Sequence, residues 1–238
     1  GGVLAPDGCI LCPPLNAAKV LCIDTRAQST SLIGSDYARE GFAKWSNAVL
    51  APDGRVYCLP MDARQFLCID AGSKATSLVG DDLGITAGKY ISAAVVRGRL
   101  CCTPCNARRA LIFDPADGSC RFIGKELFGR EMYIGAIIGI DSCVYGIPLS
   151  ARQVIRIDPE AETVQPFGPD GLTGGFDGVL VPESGFIYAA PANGSRMLRI
   201  DTRSATPPRG GTDDTPARRL LRERPAVWCL GLASKFSP

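Results

Sequence analysis

The sequence contains no histidine. That absence excludes Ser-His-Asp and Cys-His nucleophilic arrangements, histidine-ligated zinc and a proximal-histidine haem from these residues, and leaves carboxylate, thiol, arginine and lysine chemistry. Excess charge is also lacking, because 26 Lys and Arg against 24 Asp and Glu give a net charge of +2. So small a value gives no support to nucleic-acid or anionic-membrane binding. No apolar run approaches the roughly 18 residues of a membrane-spanning helix, and no signal-peptide pattern is found. The chain begins Gly1-Gly2 rather than with Met, already in the first strand of a repeat, so we expect a segment to have preceded it.

What the sequence has in abundance is repetition. An Asp at the end of an apolar run recurs at Asp24, Asp70, Asp114, Asp158 and Asp201, with steps of 46, 44, 44 and 43. A Pro recurs in the same register at Pro14, Pro60, Pro104, Pro148 and Pro191. The clearest copy, KWSNAVLAPDGRVYCLPMDARQFLCIDAGSKATSLVG, predicts four strands over 47–50, 55–60, 65–70 and 74–79, separated by Pro-Asp-Gly, Asp-Ala-Arg and Ala-Gly-Ser turns. A period of this length built from short strands marks an all-β β-propeller of four-stranded antiparallel blades. Apolar runs such as AAVV and AIIG fit sheets covered on both faces. A composition 46% hydrophobic and 21% charged is ordinary for a single domain with a sizeable core.

The expected blades are 1–34, 47–80, 91–124, 135–168 and 178–206. In the last, Pro207 and Pro208 would fall on an outermost strand, the edge position where proline is tolerated. Residues 207–238 form a tail with a short helix capped by Thr215-Pro216. Trp228 aligns with Trp45, Tyr90, Tyr133 and Phe176 ahead of an innermost strand. The tail therefore either closes a five-bladed ring or opens a sixth repeat of a six- or seven-bladed one.

The order aromatic, apolar strand, D-G-x-[IV]-Y, Pro and [VL]-x-I-D resembles the propeller repeat of algal and protist proteins, and more distantly NHL and gluconolactonase-like propellers. The resemblance covers residues 1 to about 206. The glycine doublet of kelch strands and the Trp-Asp ending of WD-repeat blades are absent.

Candidate chemistry divides into three groups. The repeated Asp residues each precede a turn and are expected to accept backbone N–H groups there. Of the eleven cysteines, Cys12, Cys58 and Cys102 share a repeat position held elsewhere by Gly146 and Ala189, and Cys9 and Cys143 one held by Arg55, Arg99 and Phe186, so they read as small apolar fillers and reduced thiols, as expected inside a cell. A hairpin centred on Ala17 or Ala63 would set Cys12 beside Cys22, and Cys58 beside Cys68. The third group is the loop between second and third strands, Pro-x-[Asn/Asp/Ser]-Ala-Arg: Asn16, Asp62 with Arg64, Asn106 with Arg108 and Arg109, Ser150 with Arg152, and Asn193 with Arg196. At the same end the blade-to-blade connections bring Asp36, Asp82, Glu126 and Asp170 together with Trp45, Tyr90, Tyr133 and Phe176.

This basic, amide and aromatic end is the expected binding face. The leading reading is a non-catalytic module holding a protein partner, since Tyr, Trp and Arg anchor interfaces. A lectin-like propeller stacking sugars on the aromatics is the alternative. A metal-dependent, gluconolactonase-like hydrolase is third, with Asn47 and Asp177 near the channel mouth but no carboxylate on the innermost strands AVL, AAVV, AIIG and VLV. No catalytic residue, metal or cofactor is assigned.

Overall fold

The structure, a computed structural model, describes residues 1–172, 175–181, 183–193, 196–203 and 227–231. Each repeat folds as a four-stranded antiparallel meander with strands in sequence order. The first sheet holds β1 (Val3–Leu4), β2 (Cys9–Cys12), β3 (Val20–Asp24) and β4 (Ser29–Ile33). The second holds β5 (Trp45–Leu50), β6 (Arg55–Pro60), β7 (Phe66–Asp70) and β8 (Thr76–Val79), and the third β9 (Tyr90–Val96), β10 (Arg99–Pro104), β11 (Ala110–Phe113) and β12 (Cys120–Ile123). These three belong to one compact unit, Gly1–Glu131. A second unit, Met132–Pro238, contains the fourth sheet, β13 (Tyr133–Ile138), β14 (Val144–Pro148), β15 (Val154–Asp158) and β16 (Thr163–Phe167). It also contains the fifth: β17 (Phe176–Val181), β18 (Phe186–Pro191), β19 (Arg196–Asp201) and β20 (Val227–Gly231).

The turns follow from local chemistry. In the first and second sheets Pro-Asp-Gly closes the first hairpin with the Gly at positive φ, 88° for Gly8 and 80° for Gly54. The Asp carboxylate accepts the N–H two residues on, from Cys9 at 3.1 Å and Arg55 at 3.0 Å. Arg97-Gly98 makes the corresponding two-residue turn of the third sheet with both residues at positive φ, as a type I′ turn requires.

The continuous apolar runs are explained by the second sheet, which has a neighbour on each face. Val56, Cys58, Leu67 and Ile69 pack with Leu11 and Val20 of the first sheet, whereas Tyr57, Leu59, Phe66 and Cys68 pack with Leu100, Leu111 and Phe113 of the third. Phe66 and Phe113 stack with centroids 4.4 Å apart.

Two expectations are corrected. Val227–Gly231 runs antiparallel to β19, Arg196 opposite Gly231 and Ile200 opposite Val227, and so is the outer strand of the fifth sheet and not the innermost strand that the alignment of Trp228 suggested. Its β-branched and aromatic VWCLG suits a strand better than a segment whose Pro207-Pro208 has no N–H to donate. Those prolines, and the helix expected after Thr215-Pro216, lie outside the described residues.

The cysteine pairs are the second correction. Cys12 lies opposite Leu21 while Cys22 lies opposite Leu11, and Cys58 lies opposite Leu67 while Cys68 lies opposite Tyr57. The hairpins are tighter by one residue than expected, and a one-residue slip turns the two members of each pair to opposite faces. Accordingly Cys58 sits in the core shared with the first sheet and Cys68 in the core shared with the third. The ten cysteines outside 227–231 are free thiols.

Candidate functional site

The prolines that end the second strands position the loop end. Trp45 lies opposite Pro60, Tyr90 opposite Pro104, Tyr133 opposite Pro148 and Phe176 opposite Pro191. In the second to fourth sheets the register shifts there, because Pro cannot donate to the ladder. The aromatics are turned inward in all four sheets, including the fifth, where the register is continuous. Trp45, Tyr90, Tyr133 and Phe176 are 0%, 1%, 5% and 3% exposed. Trp45 Nε1 donates to Gln65 O at 2.9 Å, and the Tyr90 hydroxyl donates to Arg109 O at 2.9 Å, so the polar tips of both are spent on the backbone just ahead of the third strand. Burial pushes the Tyr133 phenol up to about 12. These rings lock the sheets and offer no stacking surface to a sugar or partner, which corrects the aromatic part of the expected face.

The amide and carboxylate positions are clamps. Asn16 Oδ1 accepts the N–H of Ala43 at 2.8 Å, Asp62 Oδ1 that of Gly88 at 2.6 Å, and Asn106 Oδ1 that of Glu131 at 2.6 Å. Each donor residue stands two residues before the buried aromatic and has a left-handed backbone, with φ of 49°, 66° and 51°. The clamp therefore holds a conformation that L-residues resist. Asn193 and Arg196 are exposed in the second unit, and Arg109 is exposed in the first.

The arginines pair in a repeated pattern. Arg64 Nε donates to both carboxylate oxygens of Asp82 at 2.9 Å, Arg108 meets Glu126 at 3.5 Å and Arg152 meets Asp170 at 3.1 Å. Each partner follows its arginine by 18 residues. The basic arc expected from sequence is thus self-neutralised. Where the first sheet has Ala18, Asp36 instead accepts the N–H of Ala38 at 2.8 Å. The arginines stay more than half exposed, at 55%, 68% and 72%, so each pair contributes at most about 1 kcal/mol to stability.

Two features of this end were not anticipated. Lys44 and Lys89, just before Trp45 and Tyr90, are 0% and 2% exposed. Lys89 Nζ donates to the carbonyls of Asp62, Gly84 and Thr86 at 3.2, 3.2 and 2.9 Å, enough acceptors for its three protons. Burial holds its pKa below the ordinary lysine value against the opposing pull of Asp62 and Asp82.

The second is apolar. Phe42, Ile85 and Phe128 are 80%, 84% and 76% exposed, one on each connection of the first unit. The Arg108 guanidinium lies 5.3 Å from the Phe128 ring centroid. A signal was available, since Gly41-Phe42, Gly84-Ile85 and Phe128-Gly129 place a large apolar residue beside glycine in segments outside any strand.

Clefts accompany both ends of the first unit. One of about 220 Å³ at the loop end is lined by Leu83, Thr86, Lys89, Tyr90, Arg108 and Glu126, among others. A larger one, about 830 Å³, lies at the opposite end and is lined chiefly by Arg55, Arg97, Arg99, Asp53, Asp70 and Asp114. Sequence reasoning had no reason to favour that end, because its charged residues read individually as turn-formers.

The turn role of the repeated Asp is as expected. Asp24 accepts from the N–H of Arg26 and Ala27, Asp70 from Ser73, Asp114 from Ala116, Asp158 from Glu160 and Ala161, and Asp201 from Arg203, all at 2.8–3.0 Å. The N–H of Ala27 and that of Ser73 are the main causes holding Asp24 and Asp70 below the usual carboxylate range. Arg64 does the same for Asp82, and Arg152 for Asp170. A carboxyl with a lowered folded pKa stabilises the fold fully above its unfolded value of about 4, and that contribution is lost as pH falls through the folded value. Thermal melts should therefore be level from about pH 7 to 5 and fall below about pH 4. Asp70→Ala should lower the melting temperature at neutral pH and show a shallower acid limb; an acid limb unchanged by the substitution would contradict this.

No protein-family profile matches the chain, and no curated protein sequence matches it. Solved structures do. A catalytically inactive histidine-to-alanine variant of virginiamycin B lyase from Staphylococcus aureus, with quinupristin, superposes with a TM-score of 0.69 at 16% identity over 85% of this chain and 66% of that one. A streptogramin B lyase gives 0.68 at 14% over 85% and 65%. The extracellular domain of a hybrid two-component system from Bacteroides thetaiotaomicron gives 0.62 at 11%, over 99% of this chain and 31% of that one. The chain thus spans just under two thirds of the length of the lyases. At these identities the likeness establishes the fold, and the five four-stranded sheets are β-propeller blades.

Proposed function

We propose that the chain is a non-catalytic binding module that holds a protein partner on the loop end of its first three blades. The observation that carries this reading is the trio Phe42, Ile85 and Phe128, large apolar side chains held in water on three successive connections. The same loop end carries the Arg64–Asp82 and Arg108–Glu126 pairs, whose charges are already matched. Apolar anchors among arginines are the chemistry of protein interfaces. The larger opposite cleft, walled by arginines and aspartates, lacks the mainly apolar lining of a small-molecule site.

The lectin-like alternative loses its proposed platform, because all four repeat aromatics are buried. A lyase reaction of the kind carried out by the structural neighbours gains no support either. One of them is inactivated by loss of a histidine, and these 238 residues contain none.

The test is a Phe42→Ser, Ile85→Ser, Phe128→Ser variant used beside the parent in affinity capture and titration of the captured protein. Exposed substitutions should shift stability by no more than about 0.5 kcal/mol each. Removing interface anchors should weaken binding by about 2 kcal/mol or more, roughly thirtyfold in Kd. Unchanged binding in the variant, with loss on Asp7→Ser, Asp53→Ser substitution at the opposite end, would assign the surface to the wrong end.

A further inference from the structure

The structure assigns a redox-modifiable dithiol to the first sheet: we propose that Cys9 and Cys22 are oxidised to an intramolecular disulfide by a small-molecule disulfide. In every sheet a residue at the start of the second strand and the residue thirteen positions later on the third lie diagonally on one face: Cys9/Cys22, Arg55/Cys68, Arg99/Ile112, Cys143/Arg156 and Phe186/Arg199. The geometry of the repeat makes this a contact site. The Arg199 guanidinium lies 4.6 Å from the Phe186 ring centroid, and Arg55 acts electrostatically on Cys68 as Arg156 does on Cys143. In the first sheet both members of this diagonal are thiols, and the Cys22 thiol adds to burial in holding the Cys9 thiol up. Cys12, by contrast, pairs with Leu21 on the other face.

The two thiols differ in access, as a stepwise exchange requires. Cys9 is half-buried at the start of β2, and Cys22 is 4% exposed on β3. The Lys74 ammonium, ion-paired with Asp7, favours thiolate at Cys9. The Cys9 thiolate, its proton released to solvent, attacks one sulfur of the incoming disulfide and expels the other as thiolate, leaving a mixed disulfide. Deprotonated Cys22 then attacks Cys9 Sγ and expels the second small thiol. Two protein thiols are oxidised and one small disulfide is reduced to two thiols, with no other oxidant. Burial holds the Cys9 thiol up, which makes the exchange slow at neutral pH and faster as pH rises. Diagonal neighbours stand about 7–8 Å apart at Cα, whereas a disulfide spans up to about 6.8 Å, so closure must draw β2 and β3 together. A bond formed under that constraint is readily reduced, as a reversible site needs.

The test is incubation of the full chain with glutathione disulfide, quenching by alkylation and peptide mapping by mass spectrometry. The expected product is a peptide linked Cys9 to Cys22, formed more slowly in Lys74→Gln, absent from Cys9→Ser and Cys22→Ser, and undiminished in Cys12→Ser. Alkylation of both cysteines, stable glutathione adducts without closure, or a link through Cys12 would overturn the proposal. The parent protein and the Cys12→Ser variant decide the matter even if the other two substitutions unfold the sheet.

Discussion

Trp45→Ala is expected to cost about 3–5 kcal/mol of stability, the range for truncating a fully buried tryptophan. The side chain is 0% exposed, packs edge-to-face on Tyr37 with centroids 5.3 Å apart, and donates its indole N–H to Gln65 O. Truncation removes the ring from the core shared by the first and second sheets and leaves that carbonyl without its donor. Urea unfolding followed by fluorescence and circular dichroism should show a lower midpoint with little change in slope. A loss under about 1 kcal/mol, accompanied by loss of partner binding, would return Trp45 to the ligand-facing role its sequence position first suggested.

Asp141→Ala should be comparably damaging, for a different reason. The Asp141 carboxylate accepts the Cys143 N–H at 3.2 Å, the Tyr145 hydroxyl at 3.0 Å and Arg156 Nε at 3.0 Å, with its side chain only 4% exposed. Arg156 is only 15% exposed, so removing the carboxylate strands a cation that water reaches poorly. Breaking such a pair from one side costs about 3–5 kcal/mol. Adding Arg156→Met to the Asp141→Ala variant should restore part of that loss, because the stranded charge goes with it. If the double variant unfolds more readily than Asp141→Ala alone, the damage comes from lost packing and this electrostatic reading is wrong. The second sheet supplies the contrast: Asp53 binds Tyr57 at 2.7 Å, but Arg55 nearby is half exposed and can be solvated.

The strands and turns were legible because they follow from local chemistry. Pro-Asp-Gly and the strand-ending Asp fix turns through side-chain to backbone bonds that need no tertiary context. The cysteine register was not legible, since it depends on how tightly the loop around Asn16 or Asp62 closes, and a single residue reverses every face. The aromatics carried the right position and the wrong exposure. What buries Trp45, Tyr90 and Phe176 is packing in the cores between neighbouring sheets, which alignment of repeats does not display. The arginines and their acids were both identified, yet their pairing at a constant 18-residue step was missed, and it changes a basic arc into a neutral one. The outer strand of the fifth sheet begins 26 residues beyond Asp201, outside the period that located every other strand.

The central claim is that the blade connections of the first unit, rather than the turns at the opposite end, meet the partner. Hydrogen exchange of the full chain, free and in complex with the captured protein, tests it most directly, because it reads both ends in one experiment. The account predicts new protection in residues 35–43, 81–88 and 124–131, with 52–54, 97–99 and 114–118 unchanged. Protection confined to the second group would place the partner on the arginine and aspartate cleft and contradict the claim.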